Sequence, residues 1–189
     1  LEQSQKTLFQ FYQQHKHTLS WYSSAYWTEK VGVDVIQLQY DHRDKIKARI
    51  GCHELLKQLN AQGYRCWLLT NADRAGLELK LENVELSPYF ELMVSSEELG
   101  HAKEEVAFWQ KLQLLHPFDP AQAVFIDDTV AVLKGAEDFG IHQLFSILQP
   151  SSNKMPRSKT ELAYPALDHL TELFDYLETN QQVTDAKTA

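Results

Sequence analysis

Five polar side chains stand where apolar runs give way to turns. "CWLLTN" ends in Thr70 and Asn71, "SSEELGHAK" leads to Lys103, and "VFIDDT" ends in Asp127 and Asp128. Hydroxyl and ammonium donors suit phosphate oxygens, whereas neighbouring carboxylates suit a hard divalent cation such as Mg²⁺. The acid pair asks for the most explanation. Asp128 alone would be read as a cap on the next helix, since Asp accepts hydrogen bonds from free backbone N–H groups there. That explains one carboxylate and leaves the other, and two charges at the end of an apolar strand are costly without a partner. A dication between them and a phosphate lets both stay ionised. Each feature also has a plain reading by itself: Thr70-Asn71 as a strand-to-turn junction, Lys103 as a solvated residue in a helix's first turn. Their order, each at the end of a strand or loop, is what makes the set specific.

The elements that must position these groups follow from the apolar periodicity. Up to about residue 48 the chain reads as helical, with Gly32 stopping the second helix. From "GCHELLKQLNAQG" onward, helices alternate with short apolar runs. Strands are predicted over 65–70, 91–96, 123–128 and 142–148, with helices over 74–84, 103–116 and 129–140. "QPSSNKMPRSKTELAYP" reads as a loop and "ALDHLTELFDYL" as a final amphipathic helix. Nearly continuous apolar strands alternating with helices predict an α/β fold, a Rossmann-like parallel sheet flanked by helices. In such sheets ligands bind outside the carboxyl ends of the strands. The expected division is a helical segment over 1–48, an α/β core over 49–178 and a flexible tail over 179–189.

The 189 residues suffice for one sizeable core, and 43% hydrophobic with 23% charged residues is ordinary for a globular protein. A net charge of -8 argues against a nucleic-acid partner, whose binding rests on Lys and Arg neutralising phosphates. Cys52 and Cys66 form no metal or redox spacing and read as reduced thiols of a cytoplasmic protein. No apolar run approaches the length of a membrane span, and "LEQSQKTLFQ" has neither the pattern of a secretory signal nor an initiator Met.

Taken in order, "LLTN", "LGHAK" and "VFIDDT" resemble motifs two, three and four of the haloacid dehalogenase-like (HAD) hydrolases. The segment "HTLSWYSSAYWTEKVGVD" is similar to the helical cap of the bacterial GMP/IMP 5′-nucleotidase branch. The resemblance implies a Mg²⁺-dependent phosphatase working through an aspartyl-phosphate. It implies that Thr70 binds the transferring phosphoryl group with Asn71 beside it, and that Lys103 neutralises phosphate and nucleophile charge. Asp127 would be a direct Mg²⁺ ligand, and Asp128 would act behind it or through water. Positioning and charge neutralisation are what phosphoryl transfer requires. The implied substrate is a small phosphorylated metabolite, a purine nucleoside 5′-monophosphate in the first instance. A sugar phosphate remains an alternative, as does a non-catalytic remnant that binds phosphate or a partner protein. A dehalogenase would leave the acid pair without a purpose, and a signalling receiver domain carries its acid pair first and its Lys last, the reverse of the order here.

Two departures stand out. Glu104 occupies the position after the motif-three Lys where many relatives have Pro. The first motif, an apolar strand ending in Asp-x-Asp and followed by Gly-Thr, is missing: "GVDVIQ" offers Asp34 alone, and "YDHRDK" sets Asp41 and Asp44 in a polar, helix-like context. In relatives that strand precedes the cap, so the expectation is an N-terminal truncation. This chain would then lack phosphatase turnover, and the complete gene product would have it. Of the cap aromatics, Trp21, Tyr22, Tyr26 and Trp27 would either stack on a base or pack the cap helices together. Ser20 and His17 are further candidates for reaching substrate. His15 and His17, two apart, make a poor chelate and read as surface residues. His101 reads as a solvated loop residue, and Trp67 and Trp109 as packing.

Overall fold

The computed structural model describes residues 2–151 and 153–178, so the expected tail over 179–189 lies outside the described residues. The chain forms two compact units, one joining Leu1–Lys47 to Trp67–Asp119 and the other Ala48–Cys66 to Pro120–Ala189.

The first unit begins with helices α1 (Glu2–His15), α2 (Ser24–Val31) and α3 (Val35–Asp41). Ser23 caps α2 by accepting the Tyr26 N–H, and Gly32 ends it with φ 69°, a left-handed conformation that costs a glycine little. Asp34 caps α3 by accepting the Gln37 N–H at 2.9 Å, which accounts for the lone acid of "GVDVIQ". Strands β1 (Trp67–Thr70) and β2 (Leu92–Ser95) then pair in parallel, with Thr70 opposite Ser95. Helix α5 (Arg74–Asn83) connects them. A single turn, α6 (Ser96–Leu99), follows β2 behind a capping box formed by Ser95 and Glu98. Helix α7 (Val106–Leu115) starts three residues later than its periodicity suggests, because Lys103–Glu105 form a turn closed by the Glu105 N–H on the Ala102 carbonyl. Its inner face buries Phe108, Trp109 and Leu112 completely or nearly so, each such side chain contributing about 1.5–3 kcal/mol.

The second unit holds α4 (Cys52–Ala61), β3 (Val124–Asp127), α8 (Val130–Phe139), β4 (Gln143–Ile147) and β5 (Ala166–Leu167). The strands pair in parallel in the order β3–β4–β5, with Asp127 opposite Ser146. Leu55 and Leu59 of α4 pack with Phe145, Leu167, Leu173 and Leu177 into one apolar cluster.

All four predicted strands form, and their parallel pairing within each unit is that of an α/β protein. The exception is "ALDHLTELFDYL", which is not one helix. It opens as β5, passes through a 3-10 turn at Leu170–Glu172 and becomes helical only over 173–178. The outer side of β4 supplies the reason: the Ser146 N–H donates to Pro165 and the Leu148 N–H to Leu167. Buried backbone donors need partners, and that need overrides local helical periodicity.

Candidate functional site

In the first unit, β1 delivers Thr70 and Asn71 to the carboxyl end of a parallel pair, and the chain turns at once. The Thr70 hydroxyl oxygen accepts the Ala72 N–H at 3.1 Å. Asn71 is 8% exposed and is held on three sides. Its side-chain oxygen accepts the Lys103 N–H at 2.9 Å, its amide donates to Glu104 Oε2 at 2.9 Å, and its carbonyl accepts the Ser96 hydroxyl at 3.2 Å. Lys103 is no solvated surface residue. It is buried, its ammonium donates to the Leu69 carbonyl at 3.2 Å, and its own carbonyl accepts the Trp109 indole N–H at 2.8 Å. The structure therefore brings Thr70, Asn71 and Lys103 together, as donors grouped at one strand end.

Beside them lies a cleft of about 220 Å³, lined by Ser20, Tyr22 and Tyr26 from the helical segment and by Asn71, Asp73 and Glu97 from the strand ends. The aromatic residues divide accordingly. Trp21 and Trp27 pack inward: the Trp21 ring lies 3.6 Å from Tyr12, and Trp27 meets Trp21 edge-on at 5.7 Å while its indole donates to the Trp21 carbonyl. Tyr22 and Tyr26 face the cleft. His15 and His17 are both partly exposed, and each also has a side-chain neighbour. His15 is half-buried against Phe11, with ring centroids 4.3 Å apart, and His17 Nδ1 lies 3.1 Å from Glu104 Oε1. Phe11 is four residues from His15 on the same helix, whereas Glu104 reaches His17 from far along the chain. His101 pairs with Glu105 at 3.2 Å.

Two first-unit residues organise this region without having been legible as site residues. Asp73, 7% exposed, caps α5 by accepting the Gly76 N–H at 2.9 Å and also accepts the Ser24 N–H. A Cβ on Gly76 would sit 2.9 Å from the Asp73 carboxylate, so a larger residue there would require that side chain to shift. The other is Glu104, whose carboxylate receives Tyr22, His17 and Asn71.

In the second unit, Asp127 ends β3 half-buried, with Oδ1 accepting the Thr129 N–H at 2.8 Å. Asp128 is exposed, and its Oδ1 accepts the Thr129 hydroxyl at 3.3 Å. The N-cap of α8 is Thr129, with no side-chain cap bond, so helix capping does not explain Asp128. Arg157, from the loop before β5, donates through Nη2 to the carbonyls of Asp128 (2.8 Å) and Ile147 (2.7 Å).

The donors at this strand end suit Mg²⁺ by type, since that ion takes oxygen ligands and is commonly held by one or two carboxylates with water and substrate phosphate completing its shell. Among the described residues no group of three or more His, Cys, Asp or Glu side chains surrounds one point. Asp127 and Asp128 are therefore not an all-protein cage, and an ion held by them would need further oxygen ligands. Cys52 and Cys66 are both free, and burial pushes both thiols up, with Arg49 opposing this at Cys52. Among the described residues no helix is long and apolar enough to cross a membrane.

Known proteins match this arrangement from both directions. Residues 8–140 match the family described as haloacid dehalogenase-like hydrolase. Over 151 residues the chain is 30% identical to the GMP/IMP nucleotidase YrfG of Escherichia coli (strain K12), covering 80% of this chain and 68% of that one. It is 25% identical over 105 residues to the pyrophosphatase PpaX of Bacillus thuringiensis (strain Al Hakam), covering 55% of this chain and 49% of that one. In structure it resembles the HAD phosphatase from Thermococcus onnurineus with a TM-score of 0.76 and 17% identity, over 93% of this chain and 80% of the other. The family match runs through the ends of β1 and β3 alike, and the chain belongs to the haloacid dehalogenase-like hydrolases.

Proposed function

We propose that the protein is a Mg²⁺-dependent phosphomonoesterase of the HAD type whose substrate is a purine nucleoside 5′-monophosphate. The observation that carries this reading is Lys103, whose backbone is fixed by Asn71 and Trp109 and whose buried side chain donates its ammonium to the Leu69 carbonyl in β1. A buried, fixed cation beside a hydroxyl is suited to a phosphoryl group, and it needs no reorganisation at the moment of transfer. Thr70 and Asn71 would bind the phosphoryl group, and Lys103 would neutralise its charge. Asp127 would hold the metal, with Asp128 supporting it; bound Mg²⁺ would supply neutralisation of phosphate oxygens. The likeness to a GMP/IMP nucleotidase favours a nucleotide over a sugar phosphate, and the tyrosines lining the cleft suit a flat base. The reading places the enzyme in the cytoplasm, in keeping with two free cysteines.

We further propose that the 189-residue chain alone does not turn over phosphate esters. Asp34 is occupied as a helix cap and Asp41 accepts the Gln37 side-chain amide, so neither resembles a strand-end nucleophile. A phosphatase assay with Mg²⁺ should find no hydrolysis above buffer; robust hydrolysis abolished by Asp127→Ala would refute this. Preceded by an apolar strand ending in Asp-x-Asp-Gly-Thr, the same chain should hydrolyse purine 5′-monophosphates in preference to sugar phosphates. Equal turnover of the two classes would move the assignment to a general metabolite phosphatase.

A further inference from the structure

We infer that Glu104 is a positioning residue that sets the spacing of the cleft by holding one side chain from each of its walls. The inference deepens the reading of Asn71 and Lys103 as phosphate-handling groups and rests on it for its functional meaning, though not for its test. Glu104 itself does not line the cleft. Its side chain is only 9% exposed, and both carboxylate oxygens are engaged. Oε1 accepts the Tyr22 hydroxyl at 2.5 Å and lies 3.1 Å from His17 Nδ1, while Oε2 accepts the Asn71 amide at 2.9 Å. Tyr22 and Asn71 are the lining residues, one from the helical segment and one from the end of β1. Asn71 in turn passes its other side-chain atom to the Lys103 N–H. A single carboxylate thus ties the segment around 17–22 to the loop that carries the ammonium.

His17 has φ 67°, the left-handed conformation common just past a helix end such as that of α1, and its side chain lies 3.1 Å from Glu104. A proline at position 104 would provide no acceptor, so the segment would dock without this tie.

Hydrogen exchange read by mass spectrometry on the whole chain tests the inference without requiring turnover. In Glu104→Leu, amides of segments 16–23 and 100–105 should exchange about tenfold faster or more, because a hydrogen bond to a charged group is lost on each side, while α7 stays unchanged. Glu104→Gln should stay near the parent rates: its oxygen still accepts from Asn71, and Tyr22 and His17 can each turn to accept from its amide. No change in either segment, or a rise shared equally by α7, would overturn the inference. If Glu104→Leu does not fold, Tyr22→Phe decides. It removes one donor from the helical side, and unchanged exchange at 100–105 would overturn the coupling. Because exchange is measured on unreacted protein, a failed phosphatase reading leaves each of these outcomes interpretable.

Discussion

Replacing Trp109 with alanine is expected to destabilise the first unit by about 4 kcal/mol, the largest effect of any substitution considered. The side chain is 1% exposed and meets Phe108 edge-on at 5.2 Å, so its removal leaves a cavity that a packed helix cannot close. It also removes the indole donor that satisfies the Lys103 carbonyl. Trp109→Phe separates the two effects. Most of the aromatic packing remains while the hydrogen bond and the pyrrole part of the indole go, and the cost should fall to about 1–2 kcal/mol. Urea denaturation followed by circular dichroism measures both, avoiding the fluorescence that the substitutions themselves alter. If Trp109→Phe proves as costly as Trp109→Ala, the indole N–H matters more than the packing, contrary to this account.

Asp73→Ala should come next, at about 3 kcal/mol. The carboxylate caps α5 and also receives the Ser24 N–H, so alanine strands two backbone donors where water has little access. A lost helix cap costs about 1 kcal/mol and a buried unsatisfied donor about 1–3 kcal/mol. Asp73→Asn keeps one acceptor and turns an N–H₂ toward the other donor, so an intermediate loss is expected. The same denaturation series reads it. A loss below about 1 kcal/mol for Asp73→Ala would mean that Ser24 finds another acceptor and that the cap alone is at stake.

The strand ends were legible because each apolar run stops abruptly at polar residues, a local signal that survives without knowledge of the fold. Thr70, Asn71, Asp127 and Asp128 were singled out in that way and do stand at the ends of β1 and β3, and Gly32 was read as a helix stop for the same local reason. Lys103 was singled out by motif, but its burial was not readable, because Asn71 reaches it from 32 residues away. His17 and Glu104 are 87 residues apart, and nothing in either neighbourhood announces the contact. The misread element, 166–177, failed for a related reason. Its leucines do recur at helical intervals, yet the demand of β4 for partners decided the outcome, and β5 at two residues is too short to leave an alternation of its own.

Arg157 alters the electrostatic accounting at the tip of β3. Its guanidinium bonds to the main chain of Asp128 and Ile147, so a permanent positive charge is built in beside two acids. If a dication is held there as proposed, this fixed positive charge would offset part of the attraction of the two acids, and removing it by Arg157→Met would be expected to tighten the ion's hold.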